Sequence, residues 1–395
     1  MNHSTSQYSL LCFLSLLLAS ILPAQANDGT YYTSGNQLVP LTETDISVRK
    51  EVLTISLMDN GYARVDVYYE FWNPKSENKY VLMGFEADPP YNYDYKFHPN
   101  GIHPNIKDFT VEMNGISVSY NNAPCFAGTG KLNKIDTGKR YVVYDNNQLY
   151  EEGHSPDQDG KSEGIDYAYV YYFDAVFKPG LNRVHHTYTY KMSDVVGLSY
   201  LVNYKLTPAA RWANGQIDDF TLVVRADKTA KHFLIHQDDL QQATYRVIEG
   251  KGKTRRTKYY DSPANEFSLR NGAVSVHVKN FKPTDELLIH SYDVFQHPDN
   301  VLQSIGVTYD RSNSMNLTIA LYNNPEPNPA DTAFIRRVAR NLPYANRGHV
   351  FRDAKLRKYF ESLWWYMPDP KYKDDDSDFT DADREYIDYG NGIDK

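Results

Sequence analysis

The chain has 395 residues, a formal net charge of −8, and 41% hydrophobic and 14% aromatic residues. Because this apolar content can form packed cores, the composition excludes a wholly disordered protein. The acidic balance gives no general attraction to nucleic acid, so no nucleic-acid partner is expected. The length is typical of two or three domains.

Residues 1–26 have the pattern of a secretory signal peptide. They contain no charged side chain, and an apolar run, LLCFLSLLLASIL, leads into small residues that end at Ala26. This order predicts cleavage after Ala26 and export. The leading segment departs from the pattern because it lacks Lys and Arg. No later apolar run reaches the roughly 18 residues that a transmembrane helix needs, so no transmembrane segment is predicted.

Cys125 is the only cysteine after the predicted cleavage site. A single cysteine cannot form an internal disulfide framework. It lies in APCFAGTG, a stretch of small residues, and no neighbouring base that would activate a thiol can be identified. We therefore expect a buried, inert thiol, and we predict no catalytic residue.

Residues 27–322 predict a mainly β fold, an antiparallel β-sandwich region. Apolar and polar residues alternate in TISLMDNGYARVDVYYEFWNP, and the turn signal at 59–61 predicts a hairpin. A second turn signal is Asn114-Gly115, and the polar stretch 145–166 predicts a surface loop. No long helical pattern intervenes between the strands, which favours a sandwich over a parallel α/β fold. A division into two sub-domains near 225–232 is one interpretation of the pattern.

The period becomes helical after a Pro-rich linker at 323–330. The pattern predicts a small α-helical domain at 331–390 with three short helices. The first begins at Asn328-Pro329, and Pro343 is expected to bend or stop it. Asp353 is expected to cap the second helix, and Thr380 the third.

The helical segment resembles the YARHG domain of exported bacterial proteins over about residues 332–390. The residues that carry the resemblance are Arg340-Asn341, Tyr344-Ala345, Gly348, Phe351, Leu356, Tyr359-Phe360, Trp365-Tyr366 and Pro368. The motif that names the family is altered here, because Asn346 and Arg347 stand where the family has Arg and His. This resemblance implies an exported protein of the periplasm or cell surface of a bacterium, and it names no reaction.

The β region resembles an uncharacterised family of exported bacterial proteins. The matching strings are NDGTYYTSGNQLVPLTETDISVRKEVLTI, VDVYYEFWNP, LTPAARWANGQIDDFTLVV and VKNFKPTDELLI, in that order along the chain. This resemblance implies fold and export, and it carries no activity.

The candidate residues for ligand or partner binding lie in the helical segment. Trp364, Trp365 and Tyr366 are a concentrated aromatic group that could stack on a sugar or a partner surface. The favoured alternative is that they are a helix terminus that docks into a core, because they continue the apolar stripe of Tyr359 and Leu363. Tyr344 and Arg347 are further candidates.

No metal or cofactor is predicted, which includes calcium and zinc. The acidic run DDDSDFTDADRE places Asp374, Asp376, Asp378 and Glu385 at EF-hand positions, but Phe379 stands where the loop needs glycine. The histidine pairs 185–186 and 232 with 236 are predicted to lie on strands, where neither pair can share one zinc ion.

We therefore expect an exported, non-catalytic protein with a binding or structural role in the cell envelope, and a cell-envelope protein or glycan as partner. One alternative is a protein that binds glycan or peptidoglycan through exposed aromatic residues. The second is a hydrolase of unknown type, which would need two convergent carboxylates in a cleft or Cys125 beside a histidine.

Overall fold

The computed structural model describes residues 34–36, 38–41, 44–58, 60–90, 96–127, 132–144, 147–154, 163–195, 198–227, 231–259, 262–291, 307–310, 318–321, 329–373, 375–377, 379 and 381–392. The predicted signal peptide and residues 323–328 of the predicted linker lie outside these ranges. The predicted caps Asn328 and Thr380 do so too, and the domain boundaries stay predictions.

The fold is mainly β with a C-terminal helical part, as predicted. The strands are β1 (Ser34–Asn36), β2 (Leu38–Pro40), β3 (Ser47–Leu57), β4 (Tyr62–Asn73), β5 (Lys79–Ala87), β6 (Ile106–Met113), β7 (Ile116–Ser117), β8 (Asn121–Phe126), β9 (Tyr141–Val143), β10 (Leu149–Glu151), β11 (Tyr167–Phe177), β12 (Gly180–Lys191), β13 (Ser193–Val195), β14 (Leu198–Lys205), β15 (Ile217–Ala226), β16 (Lys231–His236), β17 (Arg246–Tyr259), β18 (Ser262–Phe281), β19 (Leu287–Ser291), β20 (Val307–Asp310) and β21 (Thr318–Leu321). The α-helices are α1 (Pro329–Arg347), α2 (Ala354–Ser362) and α3 (Asp381–Gly390), and short 3₁₀ helices span Thr207–Arg211 and Asp238–Leu240.

Strands β3 and β4 form the predicted antiparallel hairpin. Gly61 has a φ of +78°, a conformation that favours glycine and lets the chain reverse at the turn. Alternate side chains of β4 are buried in the predicted order: Ala63, Val65, Val67, Tyr69 and Phe71. The other face of β4 is partly or fully exposed, so this strand has one core side and one wet side.

Two sheets form the layers of the sandwich. Among the described residues, thirteen strands join in one sheet, and β2, β5, β11 and β8 form a second sheet of four. Aromatic pairs connect the layers. The rings of Phe85 and Tyr188 lie 4.7 Å apart, and those of Phe71 and Phe177 lie 5.5 Å apart. Such contacts add to the burial of apolar area that holds the layers together.

The 20-residue strand β18 joins the two halves of the large sheet. Its first half pairs with β16 and its second half with β15, while β17 runs along its other side. Asn271 lies between the halves with a φ of +44°, opposite Gly250 with a φ of +63°. A Cβ on Gly250 would come within 1.9 Å of the Asn271 carbonyl oxygen, so the close approach of these strands requires glycine there.

Three details differ from the expectations. Two strand pairs, β1–β14 and β15–β3, are parallel, so the large sheet is mixed. The predicted loop 145–166 contains β10, because Leu149 and Tyr150 are buried and pair with β9. Helix α1 does not stop at Pro343 but continues one turn to Arg347, where tertiary packing of Ala345 and Arg347 outweighs the missing N–H.

Three histidines are buried in the β region, and burial lowers the pKa of each. His186 lies among Tyr69, Phe85, Phe109 and Tyr188, and neither ring nitrogen has a hydrogen-bond partner in the described part of the chain. Burial lowers its pKa to about 3. Burial lowers the pKa values of His103 and His290 to about 4, although each ring contacts a main-chain oxygen.

These histidines predict a loss of stability in mild acid. Below pH 6.5 the unfolded chain binds protons that the folded chain excludes, so stability falls from about pH 6.5 toward pH 4. At pH 5 each group should lower the free energy of unfolding by on the order of 2 kcal/mol relative to pH 7. Urea unfolding at both pH values measures this. His186→Phe should flatten the dependence, and an equal slope in the two proteins would contradict the assignment.

Candidate functional site at the C-terminal helices

The strands β16, β17 and β18 present two unlike faces. On β18, Phe267 and Leu269 point into the main core, while Glu266, Ser268 and Arg270 alternate with them and point the other way. Cross-strand pairing adds Lys251, Lys253 and Arg255 of β17 and His232 of β16 to this second face. We call these seven residues the docking face, because the C-terminal helical part covers it.

Main-chain carbonyl groups of the segment after α2 bind the docking face. The Lys253 ammonium donates to the carbonyl oxygens of Trp364 and Tyr366, both at 2.9 Å. Between them, the Ser268 hydroxyl donates to the carbonyl oxygen of Trp365 at 3.2 Å. Three successive carbonyl groups therefore find donors on the sheet, which satisfies backbone groups left without partners beyond the helix end.

Charged and aromatic contacts surround these hydrogen bonds. Lys251 and Arg270 approach the Asp369 carboxylate at 2.9 and 3.7 Å. Arg255 pairs with buried Glu266 at 2.6 Å and lies 4.5 Å from the Trp364 ring centre. On the opposite side of this contact, the ring centres of His232 and Trp365 are 5.3 Å apart.

Gly348 ends α1 directly above the docking face. Its φ is +92°, and His349 N–H donates to the Tyr344 carbonyl oxygen at 2.9 Å, a typical helix C-terminus. A Cβ on Gly348 would lie 2.1 Å from Nη1 of Arg270. Two reasons therefore favour glycine at this position: its backbone conformation and the close approach of the Arg270 side chain.

The structure separates the predicted binding residues into two groups. Trp365, Tyr366 and Arg347 are buried, whereas Trp364 and Tyr344 are partly exposed. Trp365 and Tyr366 belong to the core of the helical part, whose buried members are Val338, Ala339, Leu342, Ala345, Phe351, Leu356, Tyr359, Phe360, Leu363, Trp365, Tyr366 and Tyr386. Their burial agrees with the alternative that these residues form a helix terminus packed into a core.

Arg347 connects α1 to α3 inside the helical part. Its guanidinium contacts the Asp383 carboxylate at 2.9 Å, donates to the Pro343 carbonyl oxygen at 3.0 Å, and lies 4.3 Å from the Phe379 ring centre. Removal of one partner of such a buried ion pair typically costs 3–5 kcal/mol. Arg347 thus has a structural task in this chain.

Tyr344 lies beside a surface pocket of about 410 Å³. The pocket is lined by Tyr344, Asp376, Phe379, Asp381, Arg384, Ile387 and Asp388. The rings of Tyr344 and Phe379 meet edge to face at 5.1 Å and form its aromatic wall. The volume is within the range of pockets that hold small ligands.

The remaining chemistry-bearing residues lie apart from this site. Cys125 is buried, and burial raises the pKa of its thiol to about 11, so the thiol stays protonated near neutral pH. In the part of the chain that the structure describes, no group of three or more His, Cys, Asp or Glu residues could hold a metal ion. Asp374, Asp378 and the Glu385 side chain, which belong to the EF-hand comparison, lie outside the described residues. No helix of the described chain is long and apolar enough to span a bilayer.

Sequence reasoning missed the docking face, although the chain contains a signal for it. The string KGKTRRTK places five cations within residues 251–258 of an acidic protein. Alternation in a strand assigns Lys251, Lys253 and Arg255 to one side. Neither the burial of that side nor its contact with Trp364–Tyr366 could be derived from local sequence.

Two segments of the chain match known protein families. Residues 331–395 match the YARHG domain. Residues 26–125 match DUF4424, a domain of unknown function. A comparison with curated proteins finds no match.

Several solved structures are similar to parts of the chain. A Legionella pneumophila protein described as a "putative nutrient binding protein" is 17% identical, with 93% of this chain and 100% of that chain covered and a TM-score of 0.49. An M1 zinc metallopeptidase of Deinococcus radiodurans is 12% identical, with 64% of this chain and 43% of that chain covered and a TM-score of 0.24. Baculovirus P35 is 12% identical, with 65% of this chain and 99% of that chain covered and a TM-score of 0.24.

The substitution Gly348→Ala tests the contact between α1 and the docking face. We expect it to lower the free energy of unfolding by more than Gly115→Ala does, because only Gly348 combines a positive φ with the Arg270 approach. Gly115 has a φ of +80° and nothing within 4 Å of an added Cβ, so it isolates the backbone strain of about 1–3 kcal/mol. Urea unfolding compares the two variants, and equal losses would show that Arg270 does not press on Gly348.

Proposed function

We propose that this protein is an exported, non-catalytic binding protein of the bacterial cell envelope, whose partner is an envelope protein or glycan. The observation that carries the proposal is the pocket beside Tyr344, which opens on the YARHG domain. Its aromatic wall and its charged rim can contact the apolar and polar groups of one ligand.

The structure of the helical part supports a division of labour among the predicted binding residues. Trp365 and Tyr366 hold the helices together and to the docking face, and Arg347 holds α1 to α3. Tyr344 combines partial exposure with a place in the pocket wall. In this proposal Tyr344 contacts the ligand, while Trp365, Tyr366 and Arg347 keep the pocket in shape. Trp364 contributes at the edge of the domain.

The non-catalytic part of the proposal is supported by Cys125. A thiol with a pKa of about 11 is a poor nucleophile at neutral pH, because the thiolate is the reactive form. The glycan alternative is served best by Tyr344, since the Trp364 ring already lies near the Arg255 guanidinium.

The export part of the proposal is supported by the extent of the DUF4424 match. This match begins at residue 26, next to the predicted cleavage site. The protein isolated from its native bacterium should therefore begin at Asn27, outside the cytoplasm. N-terminal sequencing of material from separated cell fractions measures both. A chain that retains residues 1–26 in the cytoplasmic fraction would contradict export.

The role of Tyr344 can be tested by co-sedimentation of the mature protein with purified peptidoglycan and with envelope membranes. Tyr344→Ala should reduce binding to one of these fractions by about tenfold, an effect of roughly 1.4 kcal/mol and typical of a lost aromatic contact.

The matched control is Tyr80→Ala, which removes a tyrosine that is 73% exposed on the sandwich. Tyr80→Ala should leave binding unchanged, and circular dichroism should show both variants folded. Unchanged binding of Tyr344→Ala to both fractions would reject the pocket as the binding site.

A further inference from the structure

The docking face carries more positive than negative charge. Its cations are Lys251, Lys253, Arg255 and Arg270. The carboxylates that face them are Glu266 of the sheet and Asp369 of the helical part. Four cations thus face these two carboxylates, although the net charge of the whole protein is −8. A surface of this kind is suited to an anionic partner.

Lys253 shows that the helical part does not complement this charge fully. Its acceptors are two main-chain carbonyl oxygens, which carry no net charge. Burial lowers the pKa of its ammonium group, because the charged form loses part of its hydration there. An ionised carboxylate or sulfate would add the attraction of an opposite charge to the hydrogen bond that the ammonium group donates.

Arg270 gives a second, independent indication. Its side chain is 7% exposed, and its Nη2 has no hydrogen-bond partner within the described chain. The Asp369 carboxylate is 3.7 Å away, too far for a direct hydrogen bond. A buried guanidinium N–H group normally has a hydrogen-bond partner, so this group can still donate to an anionic oxygen.

The cations of β17 form a linear row. Lys251, Lys253 and Arg255 alternate along β17, so they recur about every 6.6 Å. Among the described strands, β17 pairs with β18 alone, so this row lies at an edge of the sheet. Trp364 and Trp365 belong to the helical part and contact Arg255 and His232 of this face, so their emission reports whether that part leaves the face.

We propose that the YARHG domain is an intramolecular cover for the docking face, and that an acidic polysaccharide competes with it for the cations of β17. Asp369 is the internal anion that the polysaccharide carboxylates replace at Lys251 and Arg270. The proposal goes beyond the proposed function, because it assigns an acidic glycan to a surface apart from the Tyr344 pocket.

Competition with an attached cover has a defined energetic consequence. The polysaccharide binds only the fraction of molecules in which the cover is open, so its apparent Kd equals the intrinsic Kd divided by that fraction. Any change that weakens the cover without removal of a sheet cation must therefore increase the apparent affinity. Covalent attachment gives the domain a high effective concentration, which keeps the open fraction small.

The substitution Asp369→Asn makes the first test. It removes the charge that Lys251 and Arg270 contact, while the amide oxygen can still accept the hydrogen bond from Lys371 N–H. With polygalacturonate as probe and neutral dextran as control, we expect the apparent affinity of the mature protein to rise by about 2- to 5-fold, the range for a partly exposed ion pair. Tryptophan emission should shift to longer wavelength as polygalacturonate is added.

Matched variants separate this effect from general charge. Asp375→Asn removes an equal charge from an exposed residue of the same domain that belongs neither to the docking face nor to the Tyr344 pocket, and it should leave the affinity unchanged. Adding Lys253→Gln to Asp369→Asn should abolish the gain, because the open face then lacks a central cation. An equal gain with Asp375→Asn, or no effect of Lys253→Gln, would overturn the proposal.

Two further outcomes would also overturn it. Tighter binding of single-stranded DNA than of polygalacturonate would show that the face prefers a different polymer. Polygalacturonate binding without any change in tryptophan emission would show that the cover stays closed. Tyr344→Ala should not alter polygalacturonate affinity, so a loss of peptidoglycan binding through Tyr344 and a failure of this proposal can be told apart.

Discussion

The alternation of side chains along β18 is the constraint on which the arrangement of this protein depends. A strand sends successive side chains to opposite sides, so the burial of Phe267 and Leu269 in the sandwich forces Glu266, Ser268 and Arg270 onto the other side. These polar groups are buried as well. They therefore need partners, since a buried polar group without one costs more than the net gain of a hydrogen bond. Ser268 donates to the helical part and Glu266 pairs with Arg255 of β17, whereas Nη2 of Arg270 has no hydrogen-bond partner among the described residues.

The cover explains why the aromatic segment after α2 points inward. Its carbonyl groups bind Lys253 and Ser268, and its rings extend the core that Phe351 and Phe360 begin with a stacked pair at 4.4 Å. Most residues that carry the resemblance to the YARHG domain are thus packing residues in this chain. The altered motif follows the same logic, because Arg347 is neutralised by Asp383 inside the domain.

Local sequence was sufficient to predict those elements whose structure depends on one hydrophobic repeat or on one capping residue. The β3–β4 hairpin follows from its alternation and its turn residues, and Asp353 accepts from the N–H groups of Lys355 and Leu356 as its position before α2 predicts. Pro343 shows the limit. Proline propensity alone ends a helix there, yet α1 continues because the next turn is buried against α3 and the sheet.

The sequence by itself determined the mainly β fold, the helical end of the chain and the residues that form each core, because period, turns and caps are local properties. Only the tertiary structure decided that β18 bridges two halves of one sheet and that Lys253 faces Trp364 and Tyr366, which are more than 100 positions away. It also decided which aromatic residues remain accessible. Contacts between distant segments depend on how two whole surfaces fit together and on how their charges pair. No short window of sequence contains both surfaces.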